Sequence, residues 1–299
     1  MSIGMNRRQW AALTLGGLAG AALAPELLAA QRKVNSKFSG VQIGAQSYSF
    51  RDRPLDEMIT AMKQTGLGSC ELWQGHLEPR STREARIPRE DVRKWRMETP
   101  LSFFQDVRKK FNRAGIDLYA YNYSFRDDFT DEEIDRGFQM AKALGVRAIT
   151  ASSTVNVAKR IDKYASKYKI PVGMHNHANL KDPNEYATPE SFAKAMEGAS
   201  PYIQINLDIG HYTAANFDPL EYLKQHHQHI VTIHLKDRKR DHGANLPFGE
   251  GDTPIKQALG LMRDNRWRFP ANIEYEYKGA DAVVEVKKCL DYCKQALAT

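Results

Sequence analysis

The chain has 299 residues, 42% hydrophobic and 26% charged, a composition that excludes a disordered or fibrous protein. Its 43 Lys and Arg against 36 Asp and Glu give a formal charge of +7, spread along the sequence. The densest basic run, Lys236-Asp-Arg-Lys-Arg-Asp241, holds two aspartates and no aromatic residue, which argues against nucleic acid as a partner. Three cysteines, Cys70, Cys289 and Cys293, form no ladder of spaced pairs and so exclude a disulfide framework; the last two share a predicted helix and are expected to pack.

Residues 1–30 differ from the rest. Asn6-Arg7-Arg8-Gln9-Trp10 precedes the apolar stretch 11–24, rich in Gly and Ala, the pattern of a twin-arginine export signal. The stretch is too short to span a bilayer comfortably. Ala22-Leu23-Ala24 fits a cleavage site and Leu28-Ala29-Ala30 a later one; an uncleaved amphipathic anchor is the alternative. The expectation is a periplasmic protein whose mature domain occupies 31–299, with no membrane span after cleavage.

From about residue 40, short β-branched or aromatic runs alternate with helical apolar spacing. Strands are predicted at 41–45, 69–73, 116–121, 147–151, 170–174, 202–207, 230–234 and 271–275. Predicted helices open on Thr130, Thr188 and Asp218, and others close on Gly66, Gly115 and Gly145. Eight such units in about 250 residues predict a single (β/α)₈ barrel. No Gly-x-Gly-x-x-Gly follows the first strand, which removes the marker of a dinucleotide fold. Residues 74–98 form a long polar segment carrying Arg80, Arg83, Arg86, Arg89 and Arg93, either a lid or substrate-binding edge or a solvated excursion.

Barrel chemistry sits at the C-terminal ends of strands. The first half offers Gln46, Glu71 and Asn122. The second half offers His175-Asn-His177, Asp208-Ile-Gly-His211, His234-Leu-Lys236-Asp237 and Glu274-Tyr-Glu276. One histidine at a strand end is ordinarily structural. Four successive strands ending in His175, Asp208, His234 and Glu274 instead predict a divalent metal, with a mixed N/O donor set suiting Mn, Co, Zn or Fe better than Mg or Ca. His226, His227 and His229 are expected at the surface, and His76 and His242 in long loops.

These motifs resemble the xylose isomerase-like barrels, the sugar phosphate isomerases and epimerases, from about residue 40 to the end. The resemblance implies Asp208, His234 and Glu274 as metal ligands, His211 as a substrate contact, and Lys236 and Glu71 at the pocket wall. His177 and Glu276, in the same motifs, join the substrate-binding set. Family epimerases usually carry a glutamate where this chain has His175. That departure is similar to the lyases that cleave 3-keto-glycosides.

The expected reaction is proton abstraction next to a carbonyl of a small carbohydrate, with Glu274, His175 and Lys236 catalytic and Lys236 stabilising oxyanion charge. Alternatives are 1,2-elimination from a 3-keto-glycoside and a non-catalytic sugar-binding barrel. A repair-type endonuclease would need more ligands than are present. The sequence leaves room for a homo-oligomer.

Overall fold

The computed structural model describes residues 33–80 and 86–298. The signal expected over 1–30, and Arg83, lie outside them. Eight parallel strands run in chain order: β1 (Val41–Gln46), β2 (Ser69–Trp73), β3 (Asp117–Asn122), β4 (Ala148–Ala151), β5 (Val172–His175), β6 (Ile203–Asp208), β7 (Ile230–Leu235) and β8 (Ala271–Ile273). β1 pairs with both β2 and β8, so the sheet closes. A short strand, Lys37–Phe38, folds back antiparallel onto β1.

Among the described residues ten α-helices surround the barrel: α1 (Leu55–Thr65), α2 (Arg89–Glu98), α3 (Leu101–Ala114), α4 (Asp131–Leu144), α5 (Ala158–Tyr168), α6 (Pro189–Met196), α7 (Ile209–Ala214), α8 (Pro219–His226), α9 (Ile255–Asp264) and α10 (Ala282–Ala298). Their ends follow the local chemistry. Thr130 and Glu133 form a reciprocal capping box at the start of α4, and Thr188 accepts from Ser191 N at the start of α6. Gly66, Gly115 and Gly145 close α1, α3 and α4 with φ of 85°, 72° and 70°, a region glycine enters without steric cost. Cys289 and Cys293 are buried in α10.

The structure corrects the expected strict alternation of one helix per strand. Residues 89–98, read from sequence as part of a long loop, form α2. None of its residues is fully buried; its apolar contact is confined to the half-buried Val92 and Trp95, the latter packed edge-on against Phe103 and Phe104. Arg89 pairs with Asp128 at 2.7 Å, Arg93 with Glu133 at 2.6 Å and Arg96 with Glu78 at 2.7 Å. Among the described residues no helix is long and apolar enough to cross a membrane.

Candidate metal centre

The strands β5 to β8 bring the four predicted ligands together. His175 ends β5 and Asp208 ends β6, while His234 lies one residue before the end of β7 and Glu274 one residue past β8. Asp208 and His234 are register partners on neighbouring strands. One ligand atom from each of His175, Asp208, His234 and Glu274 lies within 4.8 Å of the others, and all four residues are buried.

Local structure explains this aim. Asp208 caps α7: its Oδ1 accepts from His211 N at 2.7 Å, leaving Oδ2 for the centre. Gly210 permits the turn, because a Cβ there would lie 2.4 Å from the Lys236 carbonyl oxygen. Ser152 stands 3.2 Å from His175 Nδ1. If that nitrogen carries the proton, His175 Nε2 presents a lone pair, 3.6 Å from Asp208 Oδ2. His175 Nε2 is buried without a hydrogen bond, which is costly for a polar atom that nothing else is to satisfy, and Asp208 Oδ2, also without one, meets only ionisable neighbours, Lys236 Nζ at 3.1 Å among them. The donor set therefore fits a divalent cation.

Glu71 supports the centre from below. It is fully buried and absent from the cavity wall where it was expected. Its carboxylate meets His234 Nε2 at 2.9 Å and accepts from Thr150 Oγ1 (2.6 Å) and Asn272 Nδ2 (2.8 Å). A carboxylate behind a ligating imidazole fixes the ring and raises its basicity. His234 Nδ1 in turn lies 3.0 Å from Glu274 Oε2.

Lys236 supplies the fixed positive charge. Its buried Nζ stands 3.1 Å from Asp208 Oδ2, 3.0 Å from Glu274 Oε2 and 2.5 Å from Glu276 Oε2. Burial would lower the lysine's pKa, but these three carboxylates outweigh it and raise it, so the ammonium persists. Burial would likewise raise Asp208 and Glu274. Lys236 and His211 hold Asp208 well below the usual carboxylate range, and Lys236 and His234 do so for Glu274. On His234 burial opposes charge, yet Glu71 and Glu274 push its pKa well up. His211 is driven well down by burial and then by Lys236, whose Nζ lies 3.0 Å from its Nε2. Burial and the neighbouring His175 bring His177 down to about 4.

Above the centre opens a cavity of about 350 Å³, at the small end of ligand pockets. His175, His177, His211, His234, Lys236, Glu274 and Glu276 form one side. Gln46, Tyr48, Trp73, Asn122, Ser124, Arg126 and Ser152 form the other. Five of these, Tyr48, Trp73, Ser124, Arg126 and Ser152, were missed from sequence. A signal existed: Tyr48, Trp73, Ser124 and Ser152 each follow an inward strand-end residue by two positions, as His177, Lys236 and Glu276 do. Asp237, which completes the His234-Leu-Lys-Asp motif, instead anchors the following loop by accepting from the amides of Gly249 and Gly251 at 2.7 and 3.1 Å. His76 packs against Ser47 O at 3.0 Å, and neither it nor His242 lines the cavity. His226 and His227 are half-buried and His229 is exposed.

The profile of the xylose isomerase-like TIM barrel family matches residues 35–295. The chain belongs to that family. An L-ribulose-5-phosphate 3-epimerase (UlaE) of Shigella flexneri is 26% identical over 180 residues, covering 56% of this chain and 63% of that protein. The chain thus matches less than two thirds of the length of this curated relative. Two solved structures from Parabacteroides distasonis share the fold. One superposes with a TM-score of 0.61 at 24% identity, covering 86% of this chain and 99% of its own. The other, a sugar phosphate isomerase/epimerase, gives 0.61 at 16%, covering 84% and 95%.

Proposed function

We propose that this xylose isomerase-like barrel is a metal-dependent carbohydrate isomerase or epimerase that removes a proton from the carbon beside a carbonyl. The observation that carries the reading is the quartet of His175, Asp208, His234 and Glu274 at the floor of a sugar-sized cavity. The epimerase relative supports it. A divalent cation held there would polarise the substrate carbonyl as a Lewis acid.

The chain's own residues divide the remaining work. Of the two carboxylates in the quartet only Glu274 lines the cavity, so it is the one a substrate can reach as base. Its lowered pKa keeps it ionised but weakly basic, and the proton it takes must be acidified by an adjacent carbonyl. Lys236, a persistent ammonium 3.0 Å from Glu274 Oε2, stabilises charge developing on oxygen. His177, His211 and Glu276 line the same side and bind substrate hydroxyls.

One feature favours a second reading, elimination from a 3-keto-glycoside. The facing wall offers amides, hydroxyls, aromatics and Arg126, and no carboxylate among the described lining residues. Carboxylates confined to one side suit elimination or isomerisation better than exchange of a proton on two faces. The export expected from the N-terminal sequence agrees, since phosphorylated sugars are scarce outside the cytoplasm.

Incubating the metal-loaded protein with ketoses and 3-keto-glycosides in D₂O separates these. Deuterium entering the sugar without bond cleavage supports the isomerase or epimerase, and release of the aglycone supports the lyase. Binding of these sugars with neither outcome overturns both in favour of a sugar-binding barrel.

A further inference from the structure

A second cavity, of about 650 Å³, opens at the other end of the barrel, where the strands begin. Its wall joins four separate stretches of chain: the Lys37–Gln42 turn into β1, the start of β3, Arg147 ahead of β4, and the stretch from the last turn of α9 to the start of β8. Lys37, Arg147, Arg263, Arg266 and Arg268 face a single lining carboxylate, Asp117. Five cations that are dispersed in sequence are therefore gathered here in space.

Part of this charge is already neutralised. Arg147 forms a two-pronged pair with Asp117 at 2.7 and 3.2 Å, and Arg263 pairs with Asp264 at 2.8 Å. Lys37, Arg266 and Arg268 are exposed, and their side chains make no ion pair or hydrogen bond among the described residues. Three uncommitted cations in one concave surface attract a ligand carrying several closely spaced oxyanions.

The aromatic residues narrow its class. Trp267 lies nearly parallel to His227 (4.9 Å, 10°) and to Phe269 (5.8 Å, 28°). The Arg147 guanidinium covers the ring of Tyr119 at 5.2 Å. The chain itself engages both aromatic surfaces, whereas single-stranded nucleic acid is held by stacking bases on free rings. The exposed large apolar residues Met97, Phe103, Leu180 and Val284 all lie outside the groove, so it has no anchor for a bilayer.

We propose that this groove binds an acidic polysaccharide, a chain of sugar rings bearing carboxylate or sulfate groups, and tethers the enzyme while the cavity at the opposite end stays open. Lys37, Arg266 and Arg268 would make the charge-assisted contacts, and the affinity would fall steeply with salt.

The test is equilibrium binding of the full chain to polygalacturonate (carboxylate) and heparin (sulfate), with dextran, oligo-dT and phosphatidylglycerol vesicles alongside. The expected result is salt-sensitive binding to one or both acidic glycans and none to dextran. The combined Lys37→Gln, Arg266→Gln and Arg268→Gln variant should bind them about tenfold or more weakly at an unchanged melting temperature. Three results overturn the proposal: no acidic-glycan binding at low salt, binding unaltered in the folded variant, or binding to oligo-dT or vesicles as tight as to the glycans. The carboxylate and sulfate arms identify which oxyanion is taken.

Discussion

The tips of β5–β8 and the tips of β1–β4 are built from different chemistry around one cavity. The later strands end in imidazoles, carboxylates and a lysine, with Lys236 Nζ within 3.1 Å of three carboxylates. The earlier strands end in amides and hydroxyls, and their one carboxylate, Glu71, lies beneath His234 instead of on the wall. The difference teaches that this barrel loads its charge on one side. The other side orients that charge from behind and gives the substrate a polar, aromatic surface.

The largest expected contrast is between two single substitutions. Glu274→Gln should lower turnover by about 10²–10⁴-fold with circular dichroism unchanged, while Asn122→Ala on the facing wall should cost far less. Equal losses would break the division of labour. The support from below is sharpened by Glu71→Gln, which should weaken metal binding by about 10–100-fold in a competition titration although Glu71 does not line the cavity. Unchanged affinity would leave Glu71 with packing alone.

A pH series probes the same contact. In the metal-free chain Glu71 and Glu274 raise the pKa of His234. A raised pKa contributes stability that is fully present below the unfolded value, about 6.5, and is lost as pH climbs through the folded one. Melting temperature should therefore decline over that window. The metal-loaded chain, whose His234 Nδ1 carries no proton, should lack the decline. The smallest effect belongs to scaffolding on the β1–β4 side. Thr130→Ala removes the capping box of α4 and should cost about 1 kcal/mol of unfolding free energy without altering metal affinity.

The barrel was legible because apolar runs, caps and glycine stops each act locally, and closure then forces the strand tips toward one axis. His175, Asp208, His234 and Glu274 could be read for that reason. α2 could not, since the Arg93–Glu133 and Arg96–Glu78 pairs share the work of holding it with only the half-buried Val92 and Trp95, too few apolar positions to show in the periodicity. The placement of Glu71 was missed because a strand-end residue reads alike whether its side chain meets the cavity or the layer beneath. Arg126 continues the spacing of Asn122 and Ser124 but lies in the loop past the end of β3, where strand alternation no longer tells which way a side chain points, and the basic groove joins residues as distant as Lys37 and Arg268.

The central claim is that one cation sits among the tips of β5–β8. Its most direct test is a crystal of the protein grown with Mn²⁺ and measured for anomalous scattering at the manganese edge. The account predicts one strong peak per chain, bonded to His175, Asp208, His234 and Glu274, and its loss in Asp208→Asn. A peak elsewhere, or one at that place undiminished by the substitution, would contradict it.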